Sequence, residues 1–123
     1  MSHIERTIYD RDILVRLAKT GGYVEWDLFG LERSYYHDNV VVRDLPNDSL
    51  RVGQLASLIE DGYEGKVLIS HDIGYKNRLA SYGGQGYFYI LANIIPRMRS
   101  KEFCEQTIKN ILVENPKTAF TFA

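Results

Sequence analysis

The stretch Lys66-Val67-Leu68-Ile69-Ser70-His71-Asp72-Ile73-Gly74 decides how the rest of the chain is read. Its first half is a short β-branched and aliphatic run, the mark of a buried strand. Its second half turns at once into hydroxyl, imidazole and carboxylate before a glycine. Apolar residues fix the backbone, and the strand's C-terminal end then holds two titratable groups at a mouth, a common way to build a site. His71 and Asp72 also read as the start of a solvated turn at Gly74. A second histidine, His3, shifts the balance towards a site.

Upstream of this strand, the residues before Gly62 have helical spacing. Val52, Leu55, Ala56 and Ile59 recur at a 3.6-residue period, which predicts a helix from about Leu50 to Asp61 after the turn Pro46-Asn47-Asp48-Ser49. Leu31 to Asn47 reads as a loop, and its His37 receives no role. Tyr23 to Leu28 reads as a strand. Before it, Ile13, Leu14, Leu17 and Ala18 give Asp10 to Lys19 one apolar face, with an aspartate cap at the start and Gly21-Gly22 as the stop. Ser2-His3-Ile4-Glu5-Arg6 suits the end of a strand.

Downstream, Ile73 to Gly86 reads as a flexible rim loop, with the tyrosines of its glycine-rich end packed under the rim. Tyr87 to Met98 is apolar and helical, and Pro96 is expected to weaken or end it. Ser100 is expected to cap a last helix in which Cys104, Ile108, Ile111 and Leu112 form the buried stripe. Asn115-Pro116 should close that helix, leaving Thr118 to Phe122 as an apolar tail. The order of strand end, helix, strand, helix, strand, helices is that of a parallel sheet with right-handed crossovers.

Composition bounds the partners. The 123 residues are 45% hydrophobic and 25% charged, as in a soluble globular chain with a single core. With 15 basic and 16 acidic residues there is no basic surplus for nucleic acid. No apolar run reaches the length of a membrane span, and the N-terminus lacks a signal peptide's apolar core. Cys104 is the lone cysteine, so no disulfide framework forms, and a reducing, cytoplasmic setting is expected.

Ser2 to Thr7, Gly22 to Gly30, Ile69 to Asp72, Tyr82 to Tyr87 and Glu114 to Lys117 together resemble the C-terminal part of the phosphotriesterase-related proteins of the amidohydrolase superfamily. The resemblance spans essentially the whole chain. It implies an α/β fold, part of a TIM (β/α)8 barrel from the end of the sixth strand to the C-terminal helix. The chain is one segment, residues 1–123. The resemblance also implies two divalent metals, zinc by preference, at the strand ends. His3 then matches a metal ligand. Asp72 matches the aspartate that binds a metal and takes a proton from water. Asp27 matches an acidic residue near that site that supports a ligand or relays a proton, with a helix or turn cap as the alternative. His71, adjacent to Asp72, should point to the opposite face, as a structural group or one that supports a ligand from behind.

Imidazole and carboxylate are suitable zinc donors. The family's His-x-His pair, its bridging carboxylate or carboxylated lysine and its fifth-strand histidine are absent. A full barrel needs about 250 residues. The resemblance therefore implies a fragment of a hydrolase, inactive alone, whose metal-bound hydroxide attacks a small-molecule ester or amide. Where related branches carry an acidic residue, this chain has Arg6. With Lys76 and Arg78 it could hold an anionic substrate, such as an N-acetylated amino acid or taurine. The alternative is a non-catalytic partial barrel that associates with another polypeptide through its strand edges.

Overall fold

The computed structural model describes residues 1–37 and 42–121. Strands β1 (Val24–Trp26) and β4 (Val67–Ile69) pair in parallel, Val24 opposite Val67 and Trp26 opposite Ile69. Beyond the strands the ladder continues, with Ser70 N–H donating to Trp26 O at 2.9 Å. Along the other edge of β1, Glu25 N–H donates to Met1 O at 2.9 Å and the Met1 ammonium to Tyr23 O at 2.6 Å. Those alternating bonds are the pattern of a parallel neighbour. The N-terminus, β1 and β4 therefore run side by side and end together.

Between them lie the predicted helices. In α1 (Arg11–Lys19), Asp10 accepts the N–H of Asp12 at 2.7 Å, Leu14 and Ala18 are buried, and Ile13 is exposed. In α2 (Asp48–Glu60), Asn47 accepts the Leu50 N–H at 2.9 Å. Val52, Leu55 and Leu58 bury one face of α2 against Val24, Trp26 and Val67, all within one core. Each such side chain contributes about 1.5–3 kcal/mol.

The stretch Leu31 to Asn47 is more ordered than the expected loop. Strands β2 (Tyr35–His37) and β3 (Val42–Asp44) pair antiparallel there, Tyr35 opposite Asp44. Residues 38–41 of that stretch, and Phe122 of the expected tail, lie outside the described residues.

The C-terminal helices correct four expectations. A wide turn over Ile90–Ile94 leads into α3 (Ile95–Ser100), and a second over Asn110–Glu114 joins α4 (Glu105–Lys109) to α5 (Asn115–Phe120). Pro96 and Pro116 are the second residues of α3 and α5, and neither ends its helix. Proline lacks an N–H and its ring clashes with the carbonyl four residues back. In each wide turn the residue before proline donates five residues back, Ile95 to Ile90 O and Asn115 to Asn110 O, which moves the clashing carbonyl aside. Ser100 ends α3 rather than capping a helix; its hydroxyl donates to Arg97 O at 2.8 Å. Cys104 is exposed, not buried. Its Sγ accepts the Thr107 N–H at 3.4 Å as the cap of α4, and bonding to the Thr107 hydroxyl, then to that N–H, lowers the thiol's pKa.

Candidate active site

His3, Asp27 and Asp72 sit just past the C-terminal ends of the three parallel passes. Outside glycine, positive φ among the described residues occurs at His3 (57°), Asp72 (46°) and Glu102 (65°). Left-handed backbone at non-glycine residues costs of order 1 kcal/mol or more and clusters at functional positions. Two of the predicted site residues are held in this state.

His3 and Asp27 meet directly. Asp27 is 4% exposed, and its Oδ2 accepts the His3 backbone N–H at 3.0 Å. The same oxygen lies 2.6 Å from His3 Nδ1. His3 Nδ1 nonetheless makes no hydrogen bond, and Asp27 Oδ1 is likewise buried without a hydrogen-bond partner. Metal-ligating histidines commonly carry a carboxylate beside the ring nitrogen that does not bind the metal, and Asp27 stands in that position against His3 Nδ1. The orphaned pair and the donor types fit a metal in kind. The donors are too few to complete a site: no three His, Cys, Asp or Glu of the described residues are grouped to hold one.

Asp72 opens onto a depression of about 680 Å³ lined by Arg6, Leu28, Arg33, Asn77 and Arg78 among others. Its side chain is 44% exposed. A separate cavity of about 370 Å³ lies between α1 and α2 and holds none of the candidate residues. Arg6 is half-buried at the rim of the depression. Lys76 does not line it; its ammonium stands 4.4 Å from the centre of the Tyr82 ring. Arg78 is only 8% exposed and is turned onto main chain. It donates to Asp72 O and, at 2.6 Å, to His71 O. His71 is half-buried and its Nε2 accepts the Ile90 N–H at 3.2 Å, at the start of the wide turn before α3. Burial and then the Arg78 charge push the His71 pKa down, which keeps the imidazole neutral and able to accept.

The glycine-rich loop is packed, not loose. Gly84 N–H donates to Leu79 O at 3.0 Å and Gly86 N–H to Arg78 O at 2.9 Å. A Cβ on Gly84 would overlap the Arg78 backbone, so only glycine permits this approach. Tyr82 and Tyr87 are exposed rather than tucked under the rim.

Sequence reasoning missed Arg33, which lies in the stretch read as loop. It also missed a buried ionic cluster beneath the site. Arg51, fully buried, donates to Asp48 Oδ1 at 2.7 Å and to Leu31 O at 3.1 Å, with Nε 3.6 Å from Glu5 Oε1. Glu5 accepts the Leu28 N–H at 2.8 Å, and Asp48 accepts Gly30 N–H at 3.1 Å and the Tyr89 hydroxyl at 2.8 Å. This cluster fixes the turn that follows Asp27. Burial raises the Glu5 carboxyl, and burial with the Asp48 bond pushes the Tyr89 phenol up to about 12. An arginine on a helix gives no sequence signal of burial when one of its carboxylates lies 46 residues upstream, at Glu5.

The phosphotriesterase family model matches residues 1–120. The chain belongs to the phosphotriesterase family. Within that family it is 48% identical over 122 residues to an N-acetyltaurine hydrolase of Salmo salar, covering 99% of this chain and 35% of that protein. It is 46% identical over the same length to a phosphotriesterase-related protein of Nematostella vectensis, with the same coverage. The crystal structure of a phosphotriesterase homology protein from Escherichia coli, complexed with phosphate in its active site, superposes with a TM-score of 0.82 at 29% identity. That match covers 98% of this chain and 37% of the E. coli chain. This family member thus spans about a third of the length of the curated relatives it matches. The solved structures it resembles are phosphotriesterase-like barrels, and its mixed helix and strand order agrees with them. No helix among the described residues is long and apolar enough to cross a membrane.

Proposed function

We propose that this chain is the C-terminal part of a cytoplasmic, metal-dependent hydrolase barrel, carrying its last strands and part of its active site. The observation that carries this reading is the pairing of His3 with buried Asp27 at the same strand ends as Asp72, with His3 and Asp72 both in left-handed backbone. In this reading His3 and Asp72 each donate to a divalent metal, with zinc the expected ion, and the remaining donors come from outside these residues. Such metals lower the pKa of a water and polarise the scissile group. Asp72 accepts the water's proton, since its exposed carboxylate faces the depression. Asp27 holds the His3 ring in place.

The substrate in this reading is a small molecule with an anionic end. Arg6 and Arg33 are among the residues that line the depression beside Asp72, and arginine binds carboxylates and sulfonates in bidentate fashion. An N-acetylated amino acid or taurine fits this charge, and the Salmo salar relative's name includes such a substrate. The test uses the complete barrel, meaning residues 1–123 together with the leading strands of the family's fold. N-acetyltaurine should be hydrolysed with kcat/KM about 100-fold above that for an uncharged N-acetyl amide, and Arg33→Ala should raise KM about tenfold, from loss of a charge-assisted contact. Equal turnover of charged and neutral amides would contradict the reading.

A further inference from the structure

We propose that Arg78 is a positioning residue for Asp72, acting through the backbone, and is not a substrate ligand. The inference rests on the reading of Asp72 given above. The guanidinium bridges consecutive carbonyls, His71 O at 2.6 Å and Asp72 O, and its Nη1 lies 3.9 Å from Asp72 Oδ2. Gln85 closes the other side. With its amide oxygen turned to the guanidinium, as donor chemistry requires, it accepts from Nε at 3.0 Å and Nη2 at 2.9 Å. The main chain of Arg78 is gripped in turn by the glycine loop, through Gly86 N–H at 2.9 Å and the close approach of Gly84.

This clasp explains two observations. Asp72 holds a φ of 46°, which the chain adopts only where surrounding contacts over-determine it. Asp72 O also accepts the Gly74 N–H at 2.8 Å, so the turn is fixed from both sides of one carbonyl. The result is a carboxylate whose main chain is locked while its side chain faces the depression. A guanidinium committed to two carbonyls and an amide, and 8% exposed, has little of its fork left for a substrate.

The complete barrel is the test system, with Arg78→Met, Arg78→Lys and Asp72→Asn compared. Arg78→Met should lower kcat about 100-fold with KM held within about threefold, the cost of misplacing a catalytic group by about 1 Å. In the metal-free protein the Gly74 amide should exchange its hydrogen at least about tenfold faster, since its acceptor is no longer fixed. Arg78→Lys should recover part of kcat, because an ammonium reaches one carbonyl but cannot bridge both. A tenfold rise in KM with kcat preserved would make Arg78 a substrate ligand and overturn the inference. Unchanged kcat and unchanged Gly74 exchange would overturn it as well. If Arg78→Met does not fold, Gln85→Ala decides: kcat should fall several-fold at constant KM, and no change in kcat or exchange refutes the clasp. Activity within about tenfold of the parent in Asp72→Asn would instead sink the functional reading. An inactive Asp72→Asn beside unaffected Arg78 variants would sink the clasp alone.

Discussion

Asp72→Asn in the complete barrel should lower kcat about 10³- to 10⁴-fold, the upper range for loss of a positioned general base. The change keeps the side chain's size and its place at the end of β4. It removes the negative charge and the ability to accept a proton, and it weakens a metal donor. Asparagine also tolerates left-handed backbone, so the φ of 46° at this position remains accessible and the fold should survive. Near-normal circular dichroism with lost turnover is therefore the expected pair of results. Steady-state kinetics on the purified variant check it, and activity within about tenfold of the parent would contradict the assigned role.

Arg51→Met should destabilise the protein by about 3–5 kcal/mol, the cost of leaving buried charge unpaired. Asp48 and Glu5 have fully buried side chains, and Arg51 is the cation between them. Methionine matches the length of the stem and supplies nothing to either carboxylate. The deficit should depend on pH. Burial already holds the Glu5 carboxyl above its ordinary 4.5, and loss of the Arg51 guanidinium, whose charge lowers it, pushes it further up. A group whose pKa is raised on folding stabilises below its unfolded value and loses that contribution as pH rises through the folded value. The gap between parent and variant in urea unfolding should therefore be smaller near pH 4.5 than at pH 7.5. A variant as stable as the parent at pH 7.5 would show that the cluster is not what fixes the turn after Asp27.

Periodicity and caps made much of the scaffold legible in the sequence. The apolar run of β4, the spacing of Val52 and Leu55, and Asp10 before α1 each act locally, so the sequence displays them. The prolines misled for a physical reason: their usual effect was offset by a wide turn that no residue pattern announces. Cys104 was misplaced because a thiol on a helical stripe and a thiol capping a helix look alike in one dimension. Of the site, His3, Asp27, Asp72 and Arg6 were legible through family resemblance and strand ends, and the structure seats His3 against Asp27. The Glu5–Arg51–Asp48 cluster and Arg33's place beside Asp72 were not, because they depend on contacts between distant segments. Arg78 was noticed for its charge, but its bonds to main-chain carbonyls depend on how the loop after β4 folds back.

His3 and Asp72 are proposed to belong to one metal-dependent hydrolytic site. Metal content of the complete barrel, measured by elemental analysis before and after chelation with activity followed in parallel, tests it most directly. The barrel should hold about two divalent ions, lose turnover on chelation and recover it on adding zinc, and both His3→Ala and Asp72→Ala should lower its metal content. Full activity after the metal has been stripped, or unchanged metal content in both variants, would contradict it.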